Sequence, residues 1–310
     1  MGIVVIGAIF VDIKGFPEDL YIAEGRNAGR VEYIHGGVSR NVVEDIANDE
    51  LRPTFVSIVD TSPLGEDVVK KLKRHKVNTD YIQTLPNGMG TWLAVFDNNG
   101  DLAGSISQRP NMLPLLDILE EKGDEIFENA DSIILEVDLD KEIVKKALSL
   151  AEKHHKKVYS IVSNMSIAAK RRDLIQKYDC FICNEIEAGI LFSDDYSQKT
   201  PEELQAILAE KVVNANIPAM IVTMGSKGAV YAENNGSSGF TPARNVIVKD
   251  TTGAGDAFCS GVAIGLTYGK TLPESVEIGS YLAASVITSS ENVCPRFLPK
   301  EFGLDIEVDA

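Results

Sequence analysis

Short apolar segments of β-forming residues alternate with segments of helical periodicity along most of the chain. Strands are predicted at GIVVIGAIF, RPTFVSIVD, ADSIILEVD, KKVYSIVS, DCFICNE, AMIVTMG and GAVYAE. Between them, segments such as DKEIVKKALSLAEKHH carry apolar residues at helical spacing. Because several of the strands are apolar throughout, we expect an α/β fold with a mainly parallel central sheet that helices cover on both faces.

Two segments interrupt this alternation and predict an inserted lid of β-strands. Residues 13–35 are polar and rich in turn residues, and residues 88–108 resemble a hairpin whose turn contains Asn98, Asn99 and Gly100. An Asn-Gly pair readily adopts the positive φ of a tight hairpin turn, and both segments have the pattern of antiparallel strands. Surface decoration without a lid function is the alternative. The core domain would then comprise residues 1–12, 36–87 and 109–310.

Composition limits the partners that the protein can have. The chain of 310 residues has 46 acidic and 30 basic residues, for a formal net charge of −16. A chain this acidic repels the phosphate backbone of nucleic acids. No apolar run approaches the ~18 residues that span a membrane. The sequence therefore predicts neither a nucleic acid nor a membrane as partner.

The cysteine pattern indicates a reducing compartment. Cys180 and Cys183 form a C-x-x-C pair that could bind a metal or carry a redox reaction. The pair lies in a predicted strand, however, where positions i and i+3 face opposite sides of the sheet. No second pair and no neighbouring histidine completes a site. We therefore expect buried thiols and a cytoplasmic location.

The segment DTTGAGDAF, residues 250–258, predicts an anion-binding site at the head of an apolar helix. If the helix begins near Ala254 or Gly255, the amides of Gly253, Ala254 and Gly255 have no acceptor within it. The helix dipole adds positive potential at the same place. These amides would form an anion hole.

Asp256 follows this anion hole directly, and its carboxylate would repel a bound anion. The conflict disappears if Asp256 accepts a proton from a hydroxyl group that attacks the anion. This arrangement favours phosphoryl transfer to an alcohol, with Asp256 as general base. The alternatives are a dinucleotide-binding turn, which would need a third glycine that is missing, and a structural glycine turn capped by the aspartate.

A second glycine-rich turn lies within MIVTMGSKGAV, residues 220–230. It could hold a nucleotide phosphate, with Thr223 and Gly225 facing the ligand and Lys227 close to it; an ordinary hairpin turn is the alternative. The sequence contains neither the G-x-x-x-x-G-K-[ST] phosphate loop nor the H-R-D and D-F-G motifs of protein kinases.

Two further helix starts carry polar residues of interest. In YIHGGVSRNVVEDIA, Gly36 and Gly37 precede a helix and Asn41 lies one turn into it, where its amide can both donate and accept hydrogen bonds to substrate hydroxyls. In FICNEIEAGILF, Asn184 and Glu187 share one face of a starting helix and suit a hydrated Mg²⁺ near phosphates. Plain helix caps are the alternative at both places.

In order along the chain, these motifs resemble the PfkB (ribokinase-like) family of carbohydrate and nucleoside kinases. The resemblance rests on Asp12 after the first strand, G-G-x-x-x-N at 36–41, N-x-x-E at 184–187, T-M-G-x-x-G at 223–228 and D-T-x-G-A-G-D at 250–256. It implies a three-layer α/β/α fold with a β lid that can also serve as a homodimer clasp. It further implies ATP and Mg²⁺, with Asp256 as the base.

The resemblance also implies roles for individual residues. The expected substrate-binding residues are Asp12, Gly36, Gly37, Arg40, Asn41 and Glu136, with Asp138 as the alternative to Glu136. The residues expected near ATP are Asn184, Thr223, Gly225, Lys227, Gly228, Thr252 and Asn292. The residues expected at the metal are Glu187 and Asp250.

Within the family, the run Gly-Gly-Val-x-Arg-Asn is similar to that of pseudouridine kinases, so the acceptor implied is the primary hydroxyl of a ribose-like substrate such as pseudouridine. Activation by K⁺ is a further property of ribokinases, but Ser289–Asn292 departs from the family pattern in the loop concerned. A kinase of ribose or fructose, and a non-catalytic sugar or nucleotide sensor on the same fold, are the alternatives.

Overall fold

The computed structural model describes residues 2–306 of the chain. Its strands are β1 Ile3–Ile6, β2 Phe10–Pro17, β3 Gly29–Gly36, β4 Thr54–Val59, β5 Ile82–Thr84, β6 Gly90–Phe96, β7 Leu102–Gln108, β8 Ser132–Glu136, β9 Val158–Ile161, β10 Phe181–Asn184, β11 Ala219–Thr223, β12 Gly228–Glu233 and β13 Ser238–Pro242. Its helices are α1 Val38–Asn48, α2 Pro63–Arg74, α3 Leu115–Glu121, α4 Gly123–Glu128, α5 Lys141–Lys153, α6 Met165–Ala168, α7 Arg172–Ile175, α8 Glu185–Phe192, α9 Pro201–Asn214, α10 Ala254–Thr267 and α11 Leu272–Ile287.

The central sheet consists of a five-stranded part, ordered β5-β4-β1-β8-β9, and a four-stranded part, ordered β10-β11-β12-β13. A parallel bridge between Tyr159 and Cys180 joins the two parts, and the Ser160 amide donates to the Cys180 carbonyl over 3.0 Å. All pairings are parallel from β5 to β11, whereas β12 and β13 pair antiparallel. The predicted mainly parallel sheet is confirmed.

Helices cover both faces of this sheet because the strands are apolar on both sides. One core cluster takes its helical side chains from α3, α4, α5, α8 and α9, and the other takes them from α1, α2, α10 and α11. Cys183 belongs to the first cluster and Cys180 to the second, so the C-x-x-C pair faces opposite sides of the sheet as predicted. All four cysteines are buried free thiols.

A separate small sheet, ordered β3-β2-β6-β7, is formed by the two segments that interrupt the core pattern. Its central pair, β2 and β6, is parallel, so the expectation of purely antiparallel strands was wrong. The pairing is parallel because the two strands come from separate insertions rather than from one hairpin. The β6–β7 hairpin turns at Gly100, whose φ is 86°, and the Asp97 amide donates to the Asp101 carbonyl over 2.8 Å.

A short segment connects the small sheet to the central sheet. Strand β2 begins at Phe10, shortly after the end of β1, and β3 runs to Gly36, immediately before α1. The strands of the small sheet therefore extend past the predicted boundaries of 13 and 35. Within residues 2–306, no helix has both the length and the apolar character of a membrane span.

Candidate active site

The head of α10 has the geometry that the sequence predicts. The helix begins at Ala254, and Gly253 is its N-cap with a φ of 82°, a left-handed conformation that favours glycine. A Cβ at Gly253 would lie 2.1 Å from the carbonyl oxygen of Asn292. Glycine is needed here for two reasons, because the backbone is left-handed and because the Asn292 loop packs directly on it.

Only two of the three predicted anion-hole amides are open. The Ala254 amide donates to the Thr251 carbonyl over 3.2 Å, which closes the turn before the helix. In the part of the chain that the structure describes, no acceptor pairs with the amides of Gly253 or Gly255. The prediction of three free amides is therefore corrected to two, since the turn itself uses the middle one.

Asp256 lies in the first turn of α10, half-buried, and accepts a 2.6 Å hydrogen bond at Oδ2 from Nδ2 of Asn41. Burial raises the pKa of Asp256 to about 7, and the nearby carboxylates of Asp12 and Glu187 also raise it. The Asn41 hydrogen bond and the charge of Arg40 act in the opposite direction. A carboxyl group with a pKa near neutrality can accept and release a proton under physiological conditions.

Asn41 connects Asp256 to the loop after α11. Its Oδ1 accepts from Nδ2 of Asn292 over 3.3 Å, and the same Asn292 amide donates to the His35 carbonyl over 3.0 Å. The side chain of Asn292 was expected near ATP. It is instead bound to Asn41 and His35, because its amide completes the hydrogen bonding at the junction of β3 and α1.

Two cavities meet at the head of α10. The first has a volume of about 150 Å³ and the second about 310 Å³, and both are lined by Thr223 and Gly255. The first is also lined by Gly225, Gly228, Ala229, Ala243, Arg244, Ala254, Phe258, Ser280, Ala283, Ala284 and Ile287. The second is also lined by Val38, Ile161, Val162, Ser163, Ile182, Cys183, Asn184, Glu187, Asp256 and Cys259.

Asn184 and Glu187 form a capping box at the start of α8 and also line the second cavity. Oδ1 of Asn184 accepts from the Glu187 amide over 2.9 Å, and Oε2 of Glu187 accepts from the Asn184 amide over 2.8 Å. Burial raises the pKa of Glu187. The cap fixes both side chains while Oε1 of Glu187 and Nδ2 of Asn184 remain for a ligand.

Asp250 is not brought into the cavity that contains Glu187. Its Oδ1 accepts from the Thr252 amide over 2.8 Å, within an exposed turn. Partial burial raises the pKa of Asp250, but the hydrogen bonds from Thr252 and the charge of Lys14 outweigh it, and the net pKa is lowered. Of the two residues expected at a metal, Glu187 lines the second cavity and Asp250 does not. Among residues 2–306, no three His, Cys, Asp or Glu side chains form a metal-binding group.

Arg40 was expected to bind substrate, but its side chain is fully buried. The guanidinium donates to Oε2 of Glu44 over 2.7 Å, to the His35 carbonyl, and to the Gly36 carbonyl over 3.5 Å. A buried cation must be paired, and these acceptors supply the pairing. Arg40 therefore faces the junction of β3 and α1 rather than the cleft.

The residues expected to hold the substrate include Asp12, Gly36 and Gly37, which the structure does bring together. A Cβ on Gly36 would lie 2.3 Å from Oδ1 of Asp12, so the carboxylate packs directly on this glycine. Burial raises the pKa of Asp12. Gly37 is the N-cap of α1 with a φ of 96°, and a Cβ there would lie 2.9 Å from the Ala8 carbonyl oxygen.

Glu136 and Asp138 follow the end of β8 but are held by the protein. Oε2 of Glu136 accepts from the Ala8 amide over 2.9 Å and from the Ser39 hydroxyl over 2.8 Å. Burial and the neighbouring Asp138 carboxylate raise the pKa of Glu136 to about 8. Glu136, the last residue of β8, thus links the segment after β1 to the start of α1, and its role at the substrate stays a prediction.

Arg109 was not singled out by the sequence. It follows β7 and donates to Oδ2 of Asp138 over 2.8 Å and to its carbonyl over 2.9 Å. The link joins the end of the small sheet to the central sheet. Its only sequence signal is a basic residue just after the predicted lid segment.

Thr223, Gly225 and Gly228 line the first cavity as predicted, but Lys227 does not. Its Nζ donates to the carbonyl of Lys199 over 3.0 Å in an exposed position. The cause is the short turn at Gly225–Lys227, which directs this side chain toward the start of α9.

The wall of the first cavity consists mostly of small residues, namely glycine, alanine and serine. Arg244 supplies a cation at this wall. Gly255, whose amide is open, lies where the two cavities meet, and an open amide at the start of a helix can bind a phosphate.

Residues 2–295 match the protein family described as "pfkB family carbohydrate kinase", in agreement with the geometry of the site. Over 94% of its length, the chain is 34% identical to guanosine-inosine kinase of Exiguobacterium acetylicum, and the match covers 95% of that protein. It is 24% identical to pseudouridine kinase of Escherichia coli, over 88% of this chain and 86% of that one. The predicted closeness to pseudouridine kinases was therefore imprecise.

The fold agrees as well. The structure of Arabidopsis thaliana ribokinase complexed with ribose and ATP superposes with a TM-score of 0.85 at 21% identity, over 98% of this chain and 99% of that one. The ribokinase-like fold is thereby confirmed. The chain belongs to the PfkB family of carbohydrate kinases and is an ATP-dependent carbohydrate or nucleoside kinase.

Proposed function

We propose that the protein phosphorylates the primary hydroxyl of a purine nucleoside, with guanosine and inosine as the acceptors to test first. The observation that carries the proposal is the position of Asp256, held by Asn41 at the junction of two cavities beside the open amides of Gly253 and Gly255. The choice of acceptor is supported by the similarity to guanosine-inosine kinase.

In this proposal, Asp256 takes the proton of the acceptor hydroxyl as its oxygen bonds to the terminal phosphorus of ATP. The bond between that phosphorus and the bridging oxygen breaks, and ADP leaves. The amides of Gly253 and Gly255 donate to the oxygens of the transferring group, where negative charge is concentrated. Asp12 and Asn41 bind the ribose hydroxyls, with the backbone of Gly36 and Gly37 beside them.

ATP would occupy the first cavity against Thr223, Gly225 and Gly228. Mg²⁺ supplies charge neutralisation for the phosphates when bound, and it requires few protein ligands because it retains water. Oε1 of Glu187 is the acceptor left for its bound waters, and Nδ2 of Asn184 is the donor left for a phosphate oxygen. The family resemblance also suggests activation by K⁺, which we keep as a proposal. The ion would bind at the loop containing Ser289–Asn292, beside the turn of Asp250.

A phosphorylation assay tests the acceptor. ADP release is measured with ATP, Mg²⁺ and, in turn, guanosine, inosine, adenosine, pseudouridine, ribose and fructose. We expect the purine ribonucleosides to give the highest kcat/KM. A preference for pseudouridine or for a free sugar would overturn the acceptor but keep the kinase. The absence of any acceptor-dependent ADP would favour a non-catalytic sensor.

The variant Asp256→Asn tests the base in the same assay. Loss of a carboxylate base lowers turnover by roughly 10²- to 10⁴-fold, whereas acceptor binding, followed by calorimetry, should remain. Asp195→Asn is the matched control, since this carboxylate accepts from Ser197 within an exposed turn. Near wild-type turnover in Asp256→Asn would contradict the assignment.

We also propose a homodimer through the outer face of the small sheet. One row across its strands consists of apolar residues: Tyr33, Ile13, Leu93 and Ile106. Of these, Tyr33 is 60% exposed, Leu93 41% and Ile106 70%. Exposed apolar patches mark interaction surfaces. Sedimentation should show a dimer that Ile106→Lys dissociates.

The buried free thiols support a cytoplasmic location.

A further inference from the structure

Trp92 is the single tryptophan of the chain, and it lies on β6 at the centre of the small sheet. Its register partner on β2 is Asp12, and its partner on β7 is Ser107. Residues paired across neighbouring strands point to the same face of a sheet. The indole therefore shares a face with Asp12, the carboxylate that we assign to the ribose.

This shared face is the one directed at the active site. Asp12 packs on Gly36, and its charge acts on Asp256. Lys14, two residues further along the same face, is 9% exposed, and its charge acts on Asp250 in the turn before α10. Leu93, the neighbour of Trp92 along the strand, points the other way and is exposed on the outer face. Trp92 thus stands on the inner side of the small sheet.

Small residues flank Trp92 along its own strand. On the same face of β6 they are Gly90, which lies under the ring of Phe10, and Ala94. Further along this face Phe16 and Phe96 stack on each other at 4.9 Å, and Arg30 lies over Phe16. In the described part of the chain, by contrast, no aromatic ring or cation packs on the indole of Trp92, which is only partly buried.

The spacing of Asp12 and Trp92 matches two parts of a nucleoside. Neighbouring strands lie about 4.8 Å apart, so a carboxylate and an indole at the same register stand side by side. A carboxylate binds the ribose hydroxyls, and a flat apolar ring offers a base a surface for stacking. A free sugar would use the carboxylate alone.

We infer that Trp92 is a specificity-determining residue that stacks on the base of the acceptor and makes the enzyme select nucleosides over free sugars. The inference rests on the proposed nucleoside kinase activity. Ile34 and Ser107, the outer members of the same row, would border the base on either side.

The wild-type protein itself provides the first test, because Trp92 is its only indole fluorophore. Emission excited at the indole band is followed while guanosine, inosine or ribose is added with a non-hydrolysable ATP analogue. We expect inosine and guanosine to quench or shift the emission in a saturable manner, after correction for absorption by the base, and ribose to leave it unchanged.

Variants provide the second test. Trp92→Leu should raise KM for inosine by roughly 10- to 100-fold, the range expected for the loss of one base–aromatic stack, while KM for ribose stays within about twofold. Trp92→Phe keeps a ring and should recover most of the affinity. Val95→Ala, on the opposite face of the same strand and outside the row proposed for the dimer, is the matched control, and thermal unfolding checks that each variant is folded.

The outcomes separate this inference from the proposed function. If inosine is phosphorylated but neither the emission nor the KM of Trp92→Leu responds, the stacking role is overturned and the nucleoside kinase stands. An equal rise in KM for inosine and ribose would make Trp92 a structural residue, which also overturns the inference. If ribose is phosphorylated and no nucleoside is, both the acceptor and the inference fail.

Discussion

Nδ2 of Asn41 donates to Oδ2 of Asp256 over 2.6 Å, across a sequence separation of 215 residues. The contact joins the first turn of α1 to the first turn of α10 and holds the proposed base beside the anion hole. Since a hydrogen bond to the charged form of a carboxylate favours ionisation, Asn41 both positions Asp256 and limits the rise of its pKa.

Activity should depend on pH through Asp256. A base acts only when it is deprotonated, and the pKa of Asp256 is raised to about 7. We therefore expect kcat/KM to fall about tenfold per pH unit well below pH 7 and to be level above it. Initial rates from pH 5 to 9 at limiting acceptor check this. A profile flat down to pH 5 would contradict the assignment.

Removal of the Asn41 amide should move this profile. In Asn41→Ala the carboxylate of Asp256 loses its hydrogen-bond donor, so its pKa rises and the acidic limb of the kcat/KM profile shifts to higher pH. Asn164→Ala is the control, since Asn164 is the exposed N-cap of α6, and its Oδ1 accepts from the amide of Ser166. An unchanged limb in Asn41→Ala would mean that the contact does not control the base.

Gly253→Ala should inactivate the enzyme and destabilise it. Position 253 has a φ of 82°, and the new methyl group would lie 2.1 Å from the Asn292 carbonyl oxygen. Gly269→Ala is a matched control, because its φ is 86° but the space around it is open. The left-handed backbone costs both variants roughly 1–2 kcal/mol. The free energy of unfolding should therefore fall further in Gly253→Ala than in Gly269→Ala, and the difference between the two measures the clash alone.

Arg40→Met should affect stability rather than substrate binding. Removing one partner of a buried ion pair costs about 3–5 kcal/mol, and Glu44 would keep only Lys71, 2.8 Å away, as a close cation. Besides Lys71, the ring of His75 would also remain 3.8 Å from Glu44. We expect a lower urea midpoint and, in the folded protein, an acceptor KM close to wild type. Arg74→Met, at an exposed position of α2, is the control. A KM raised tenfold or more with an unchanged midpoint would restore Arg40 as a substrate ligand.

The local part of the site could be predicted from the sequence. The start of α10 at Ala254, the helix start at Asn184 and the turn at Thr223–Gly228 all depend on residues within a few positions of one another. Glycine and capping residues act at this short range, so their patterns carry the information directly.

Contacts between distant segments could not be predicted in this way. The partners of Asn292 depend on where the loop after α11 returns to the chain. The burial of the Arg40–Glu44 pair depends on how α1 packs, and Lys71 of α2 also reaches Glu44. A guanidinium in a motif has the same sequence signature whether it faces a cleft or a buried glutamate. The parallel pairing of β2 with β6 likewise arises from two insertions far apart in the chain.

The two cavities touch only through Thr223 and Gly255. The wall of the first is built by β11, β12, α10 and α11, and the inner face of the small sheet takes no part in it. If the small sheet binds the acceptor as we propose, substitutions on it would change the preferred alcohol and leave the wall of the first cavity intact.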